Sequence, residues 1–459
     1  MTMKKYFGDR AFYKMALTVA LPLMAQNLIT NFVSMLDNLM VGALGDEQIS
    51  AVAIANQLAL IFYLAVFGTM SGAGIFTAQY YGKEDTDGIR YTVRFKFVAA
   101  LIITAAAVCV FLAFDEPLIR LFLHASDEGG DLAKTLAFGK SYLRITLIGL
   151  LPFALTQVFS GTLRETGNTF SPMVFGLLAV ATNGLFNYLL IFGKLGFPQL
   201  GTDGAAIATA LSRFVELGAT LCYIFVRRRA LPHFRHLFRG FSVPGRLVLE
   251  FTKKSLPLMG NELLWSGGMA MLGVAYSLHG LTVVAAYSIF TTVFQLFSIA
   301  SMSMGISIGI IAGKLLGAGK HEEAVDTARK LIVFSLLLSV FVGVLLFFTG
   351  GAIPLLYKTS EESKALAVYF IRVQALLMPL PAFANASYFT VRSGGKTLIT
   401  FIFDSGMLWL VSVSAAFGLY YAFGTPIRVL FPIVQGLEAV KCVVGYILIK
   451  KRVWVKTII

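Results

Sequence analysis

Twelve apolar segments of about 23 to 35 residues run through this chain, separated by short polar breaks. A water-soluble fold cannot absorb so many long apolar stretches, and only helices or closed barrels satisfy their own backbone in lipid. The segments are too long for barrel strands, so the chain is expected to be an all-α integral membrane protein. The predicted spans are 15–44, 50–81, 91–114, 136–163, 169–192 and 204–226, then 254–278, 282–316, 325–348, 365–390, 398–423 and 427–449. Composition agrees. Charged residues make up 14% of the 459 and apolar ones 57%, whereas a soluble domain carries about a quarter charged residues.

The formal net charge of +14 raises nucleic-acid binding as a reading, but the positions of the charges oppose it. Lys4, Lys5, Arg10 and Lys14 precede the first span, and Lys83, Arg90, Arg94 and Lys96 follow the second. Arg227, Arg228, Arg229, Arg235, Arg239, Arg246, Lys253 and Lys254 lie between the halves, and Lys450, Lys451, Arg452 and Lys456 end the chain. About 27 basic residues gather on one side and about seven on the other, which places both termini and the central linker in the cytoplasm. The acidic stretch 127–131 then lies outside. No small-residue cleavage site follows the N-terminal arm, so a retained first span of a bacterial inner-membrane protein is expected. Cys109, Cys222 and Cys442 lie in apolar runs without metal or disulfide spacing and are expected in the core.

The chain repeats itself. Leu21-Pro22-Leu23-Met24 recurs as Leu256-Pro257-Leu258-Met259, and Tyr142-Leu143-Arg144-Ile145 as Phe370-Ile371-Arg372-Val373. Leu163-Arg164-Glu165-Thr166-Gly167 is echoed by Val391-Arg392-Ser393-Gly394-Gly395. Arg144 to Arg372 and Arg164 to Arg392 share one separation. The proline pair is further apart, which predicts a longer external loop after the third span. The expected architecture is twelve transmembrane helices in two parallel six-helix pseudo-repeats. An N-lobe spans 1–226, a basic linker 227–253 and a C-lobe 254–459, with a mid-depth cavity between the lobes.

Ionisable groups inside a span cost about 2.5–3.5 kcal/mol each, so each needs a reason. Asp37 shares a helix face with Gln26, Thr30 and Ser34, a pattern that suits a cation site. Asn183 and Asn187 stack four residues apart and could coordinate an ion or bridge helices. Glu262 follows Asn261 and lines up with Trp265, Met269 and Tyr276, a carboxylate beside polarizable walls that suits a lipophilic cation. Asn385, Tyr388 and Arg392 share a face, and Asp404 is open to either a site or a pairing role. The expected substrate cavity is lined by Gln26, Thr30, Asn261, Trp265, Met269, Tyr276, Asn385, Tyr388 and Asp404. Arg144, Arg372, Arg213, Glu216, Glu438 and Lys441 read as structural, with Arg213/Glu216 and Glu438/Lys441 each three residues apart. No nucleophile constellation or ATP-binding loop is found, so the chain is not expected to be an enzyme, and an ion gradient is the expected energy source.

Several stretches resemble multidrug and toxin extrusion (MATE) transporters of the bacterial branch: LPLMAQNLITNFVSMLDNLMVGALG, GAGIFTAQYYGKED, SGTLRETGNT, NGLFNYLLIFG with LGTDGAAIAT, and SLPLMGNELL. The likeness runs over essentially the whole chain. It implies two six-helix lobes opening alternately to either side, and export of organic cations or drugs in exchange for Na+ or H+, with no other cofactor. It also implies a cation site, open to Na+ or H+, matching Asp37, Asn183 and Thr209, with Asn187 where some members carry Asp. Glu262 matches the C-lobe glutamate. The tenth-span aspartate of some Na+-driven members is missing from MPLPAFANAS. The expected partners are small organic cations, the coupling cation and membrane lipid, and the chain is expected to be a monomer. A lipid-linked oligosaccharide flippase of similar fold is the alternative. Its anionic cargo calls for a basic cavity, whereas Asp37 and Glu262 are acidic.

Overall fold

The computed structural model describes residues 6–123 and 131–459. Lys4, Lys5 and residues 127–130 of the acidic stretch lie outside that range. Among the described residues every regular element is helical. In chain order the α-helices are α1 (Arg10–Gly42), α2 (Asp46–Gly82), α3 (Thr86–Ala113), the short α4 (Asp115–Arg120), α5 (Leu132–Glu165), α6 (Phe170–Phe192) and α7 (Thr202–Val226). There follow α8 (Gly245–Ser277), α9 (Leu281–Gly317), α10 (His321–Thr349), α11 (Glu361–Leu377), α12 (Pro379–Ser393), α13 (Thr397–Phe401), α14 (Ser414–Phe423), α15 (Ile427–Gly436) and α16 (Glu438–Lys450).

Among the described residues ten helices are long and apolar enough to cross a bilayer, and eleven if α11 and α12 form one bent span. α8 completes the twelve. It is 33 residues long, but Asn261, Glu262 and the glycines at 260, 267, 268 and 273 dilute its apolar surface. The repeat is explicit in the helices. α1 and α8 each have 33 residues, with Pro22 and Pro257 at equivalent positions, and α2 and α9 each have 37. The longer connection after the third span holds α4. Side chains such as Leu39, Ile102, Phe341 and Leu410 stand largely exposed on the helices, as lipid-facing residues must.

Four expectations need correction. α8 begins at Gly245 rather than Lys254, inside the segment read as linker. The tenth span is not one straight helix: α11 and α12 meet at 53°. Pro379 has no N–H for the carbonyl of Ala375, and that carbonyl lies against Gly343 of α10, where a Cβ would come within 2.6 Å of it. The eleventh span, 397–423, is interrupted by π-helical turns at Ile402–Gly406 and Leu408–Val413. Finally, Cys109 and Cys222 are exposed on their helices rather than in the core.

The chain divides into two compact units. One comprises Ala25–Thr77 and Thr86–Thr252. Its α7 is dense in small buried residues, including Ala205, Ala206 and Ala208. A Cβ on Gly204 would meet the Leu190 carbonyl at 2.7 Å, and one on Gly149 would meet Ala210 Cα at 3.2 Å, so α7 lies close to both α6 and α5. Lys96 is buried in this unit. Its Nζ donates to Thr77 Oγ1 (3.1 Å) and pairs with Glu165.

The other unit comprises Lys253–Ile459, Ala78–Asp85 and the described part of Met1–Met24. Phe290, Phe370 and Phe431 form its aromatic centre, with Phe370 stacked on Phe431 at 4.2 Å between centroids. The ends of α2 and α9 meet backbone to backbone. A Cβ on Gly82 would fall 1.9 Å from Lys314 O, and one on Gly317 would fall 1.9 Å from Gln79 O. Gln79 also donates to the carbonyls of Ser393 (3.0 Å) and Lys456 (3.3 Å) and accepts from Ile458 N (2.8 Å), fastening the C-terminal tail.

Candidate cation and substrate sites

The first unit holds a chain of hydrogen bonds running from α1 to α7. Asn187 on α6, buried, donates from Nδ2 to Asp37 Oδ1 on α1 (2.5 Å) and to Asn183 Oδ1 (3.2 Å). Asn183 Nδ2 in turn donates to Thr209 Oγ1 on α7 (3.2 Å). The i,i+4 spacing puts both amides on one face of α6, and the small residues of α7 let Thr209 reach them. Asp37, Asn183, Asn187 and Thr209 are therefore brought together. Asn187 Oδ1 is buried and accepts no hydrogen bond among the described residues.

Two residues not singled out as site candidates extend this network. Tyr142 on α5 is 2% exposed, and its hydroxyl contacts Asn56 Oδ1 on α2 (3.5 Å) and Thr209. Tyr142 opens one of the echoed repeat motifs, a signal that marked it as special without saying why. Gln26 and Thr30 sit elsewhere on α1. Gln26 packs against Gly176 of α6, roughly 16 Å along the helix from Asp37, and Thr30 is exposed.

The second unit gathers a different set. Asn261 on α8, buried, donates to Asp404 Oδ2 (3.1 Å) and to Tyr388 OH (3.4 Å). Ser405 donates its Oγ to Asn261 Oδ1 (2.8 Å) and its backbone N–H to the same oxygen (3.3 Å). That N–H is available because the surrounding turn is π-helical, and such turns are frequent at functional sites. Asp404 also faces Lys441 Nζ at 3.2 Å, and Lys441 reaches Glu438 at 3.4 Å. Glu262 lies within electrostatic range of Arg392 and Asp404 and takes a hydrogen bond from Asn261. Arg392 stacks over Phe389 (5.0 Å) and Tyr388 (5.9 Å).

Asn385 lies instead against Gly305 of α9, where a Cβ would meet its Oδ1 at 2.6 Å. Trp265 is exposed, and Met269 packs against the aromatic core. Tyr276 shares a helical face with Glu262 but lies about 21 Å further along α8. It is buried against Tyr287 and Phe431. The pair read from sequence as Glu438/Lys441 is a triad that includes Asp404.

A membrane-embedded fold of two matched helical halves, each with a polar cluster inside its spans, is the architecture of a secondary transporter. The MatE family model matches residues 22–189 and 257–417, and the chain belongs to the MATE family. It is 25% identical over 405 residues to a probable multidrug resistance protein NorM of Thermotoga maritima, covering 88% of this chain and 85% of that one. A probable NorM of Shewanella oneidensis is also 25% identical, over 420 residues covering 91% and 88%. Among solved structures, a multidrug resistance MATE family transporter in an outward-facing conformation superposes with a TM-score of 0.85 at 20% identity, over 98% of this chain and 97% of that one. A MOP superfamily transporter from Pyrococcus furiosus, described as having a binding pocket of reverse polarity, gives 0.85 at 19% identity, over 99% and 98%.

Proposed function

We propose that this protein exports organic cations or drugs from the cytoplasm by alternating access, in exchange for Na+ or H+. The observation that carries the reading is the hydrogen-bonded chain Asp37–Asn187–Asn183–Thr209. It sets a carboxylate, two amides and a hydroxyl together inside a lipid-embedded bundle, where a lone carboxylate is costly. A proton neutralises that carboxylate, and Na+ finds oxygen ligands in Asp37, Asn183, Asn187 and Thr209. Asn187 Oδ1, buried without a hydrogen-bond donor, is suited to a cation. Either ion would displace the bridging Asn187 amide and so repack α1 against α6.

The second cluster serves the cargo in this reading. Glu262 supplies negative charge for an organic cation, and Asn261, Tyr388 and Asp404 shape its surroundings. Lys441 already neutralises Asp404, so Glu262 is the carboxylate left to meet cargo or a second ion. The relatives named multidrug resistance proteins support drugs as the substrate class. The basic side is cytoplasmic in the proposed orientation, with both termini inside, and the protein works as a monomer in a bacterial inner membrane.

Drug resistance of cells expressing variants tests the reading. Asp37→Asn is expected to abolish resistance at unchanged protein levels, and Glu262→Gln to narrow or alter the range of cations exported. Full resistance in the Asp37→Asn strain would reject Asp37 as the coupling residue.

A further inference from the structure

A cavity of about 310 Å³ opens where the start of α3 meets the segment 232–242, lined by Asp87, Arg90, Tyr91, Arg94, His236 and Arg239 among others. It lies wholly within one compact unit and shares no residue with the transport clusters above. Three arginines face a single carboxylate, Asp87, which is 71% exposed.

The three arginines are not equivalent. Arg94 is buried and spends its guanidinium on structure, with Nε, Nη1 and Nη2 donating to the carbonyls of Leu237 (2.8 Å), Ser242 (3.0 Å) and Arg239 (3.0 Å). Those three bonds wrap the segment around the cavity and fix its wall. Arg90 pairs with Asp87 and donates Nη2 to Pro232 O (2.9 Å), while its Nε is buried without an acceptor. Arg239 makes no ion pair among the described residues, and its side chain is exposed at the rim beside His236. The wall is thus prebuilt, and Arg239 keeps its guanidinium donors uncommitted. Planar guanidinium forks of this kind match phosphate oxygens.

An aromatic shelf adjoins the cavity. Phe238 and Phe241 stack at 6.0 Å and both pack edge-on against Phe97 of α3. They are 57% and 44% exposed. Val98 and Ile102 continue an exposed apolar face along α3. Aromatic rings beside basic groups at the end of a span are the pattern of the headgroup level of a bilayer.

We propose that this cavity binds a phosphate group, supplied by an anionic phospholipid whose acyl chains lie along the exposed face of α3. Arg239 holds the phosphate oxygens and Arg90 adds positive charge to the wall, His236 and Tyr91 border it, and Phe238 and Phe241 mark the depth at which the glycerol begins. A soluble phosphate compound would use the same donors but leave the aromatic shelf unused. The proposal does not depend on the transport reading, because it concerns binding alone.

The test uses the full chain in detergent. Native mass spectrometry with phosphatidylglycerol and with phosphatidylcholine of identical chains measures lipid retention, and thermal unfolding with added inorganic phosphate probes the soluble source. Wild type is expected to retain phosphatidylglycerol preferentially. Arg239→Gln should weaken that retention by ~fivefold without affecting phosphatidylcholine, whereas Arg235→Gln, outside the cavity, should not. Stabilisation by inorganic phosphate that is lost in Arg239→Gln, with no lipid preference, would overturn the lipid source and assign the site to a soluble phosphate. Equal behaviour of wild type, Arg239→Gln and His236→Gln towards both probes would overturn the site itself. His236→Gln decides the matter if Arg239→Gln does not fold.

Discussion

Lys441 shows how a charged side chain is tolerated inside a span. Its ammonium sits between Asp404 (3.2 Å) and Glu438 (3.4 Å) and is almost fully buried. Removing one member of such a pair leaves an uncompensated charge, at a cost of about 3–5 kcal/mol, whereas removing both is far milder. Lys441→Met is therefore expected to lower the melting temperature sharply in detergent, and Lys441→Met combined with Asp404→Asn, which leaves only the part-exposed Glu438 unpaired, to recover part of the loss. If the double variant melts no higher than the single, the pairing is not what makes Lys441 tolerable. The sequence allowed Glu438/Lys441 because the two are three residues apart, but Asp404 is 37 positions away and only tertiary packing joins it to them. Tyr142 was hidden for the same reason, since its partners Asn56 and Thr209 come from other helices. Asp37, Asn183 and Asn187 were more legible, because an isolated carboxylate and an i,i+4 amide pair are local signals, and Thr209 came from the family resemblance. Lys96 misleads in the opposite sense: a count of basic residues treats it as a surface charge, yet it is buried against Glu165.

At the scale of elements, α2 and α9 test how far backbone contact governs the fold. The groups facing Gly82 and Gly317 are carbonyl oxygens rather than flexible side-chain ends. Gly82→Ala and Gly317→Ala should each destabilise the protein by about 1–3 kcal/mol, read as a lower unfolding temperature, and an unchanged temperature would contradict the close approach. The segment 227–244 carries a pH dependence of its own. Burial and then the nearby Arg90 charge push the buried His233 imidazole down to about 4. An unfolded segment with an ordinary value near 6.5 binds a proton that the folded one refuses, so stability falls as pH drops from about 6.5 towards 4, by roughly 3 kcal/mol at most. Amide exchange of 227–244, corrected for intrinsic rates, should show protection lost at pH 5 in wild type but kept in His233→Gln; equal loss in both would exclude His233 as the cause. The bend between α11 and α12 was readable in principle from Pro379 and Pro381. The π-turns around Asp404 carry no such local mark, because they arise from how α8 and the eleventh span fit together.

At the scale of the whole molecule, the repeat was the most legible feature. Proline pairs, arginine spacings and glycine-rich turns recur in register, and α1/α8 and α2/α9 agree in length residue for residue. The proposed orientation rests on charge asymmetry alone and can be checked directly. In a background without Cys109, Cys222 and Cys442, Arg229→Cys should react with an impermeant thiol reagent only from the cytoplasmic side, and Lys194→Cys only from the outside. The reverse pattern would invert the proposed direction of export. In the proposed mechanism Asp37 and its amide partners convert a cation gradient into export. Its most direct measurement is efflux of a fluorescent organic cation from proteoliposomes, with Na+ and pH gradients imposed separately. Wild type should move the dye uphill with at least one of the two gradients, and Asp37→Asn with neither. Gradient-driven uphill transport by Asp37→Asn at the wild-type rate would exclude Asp37 from coupling.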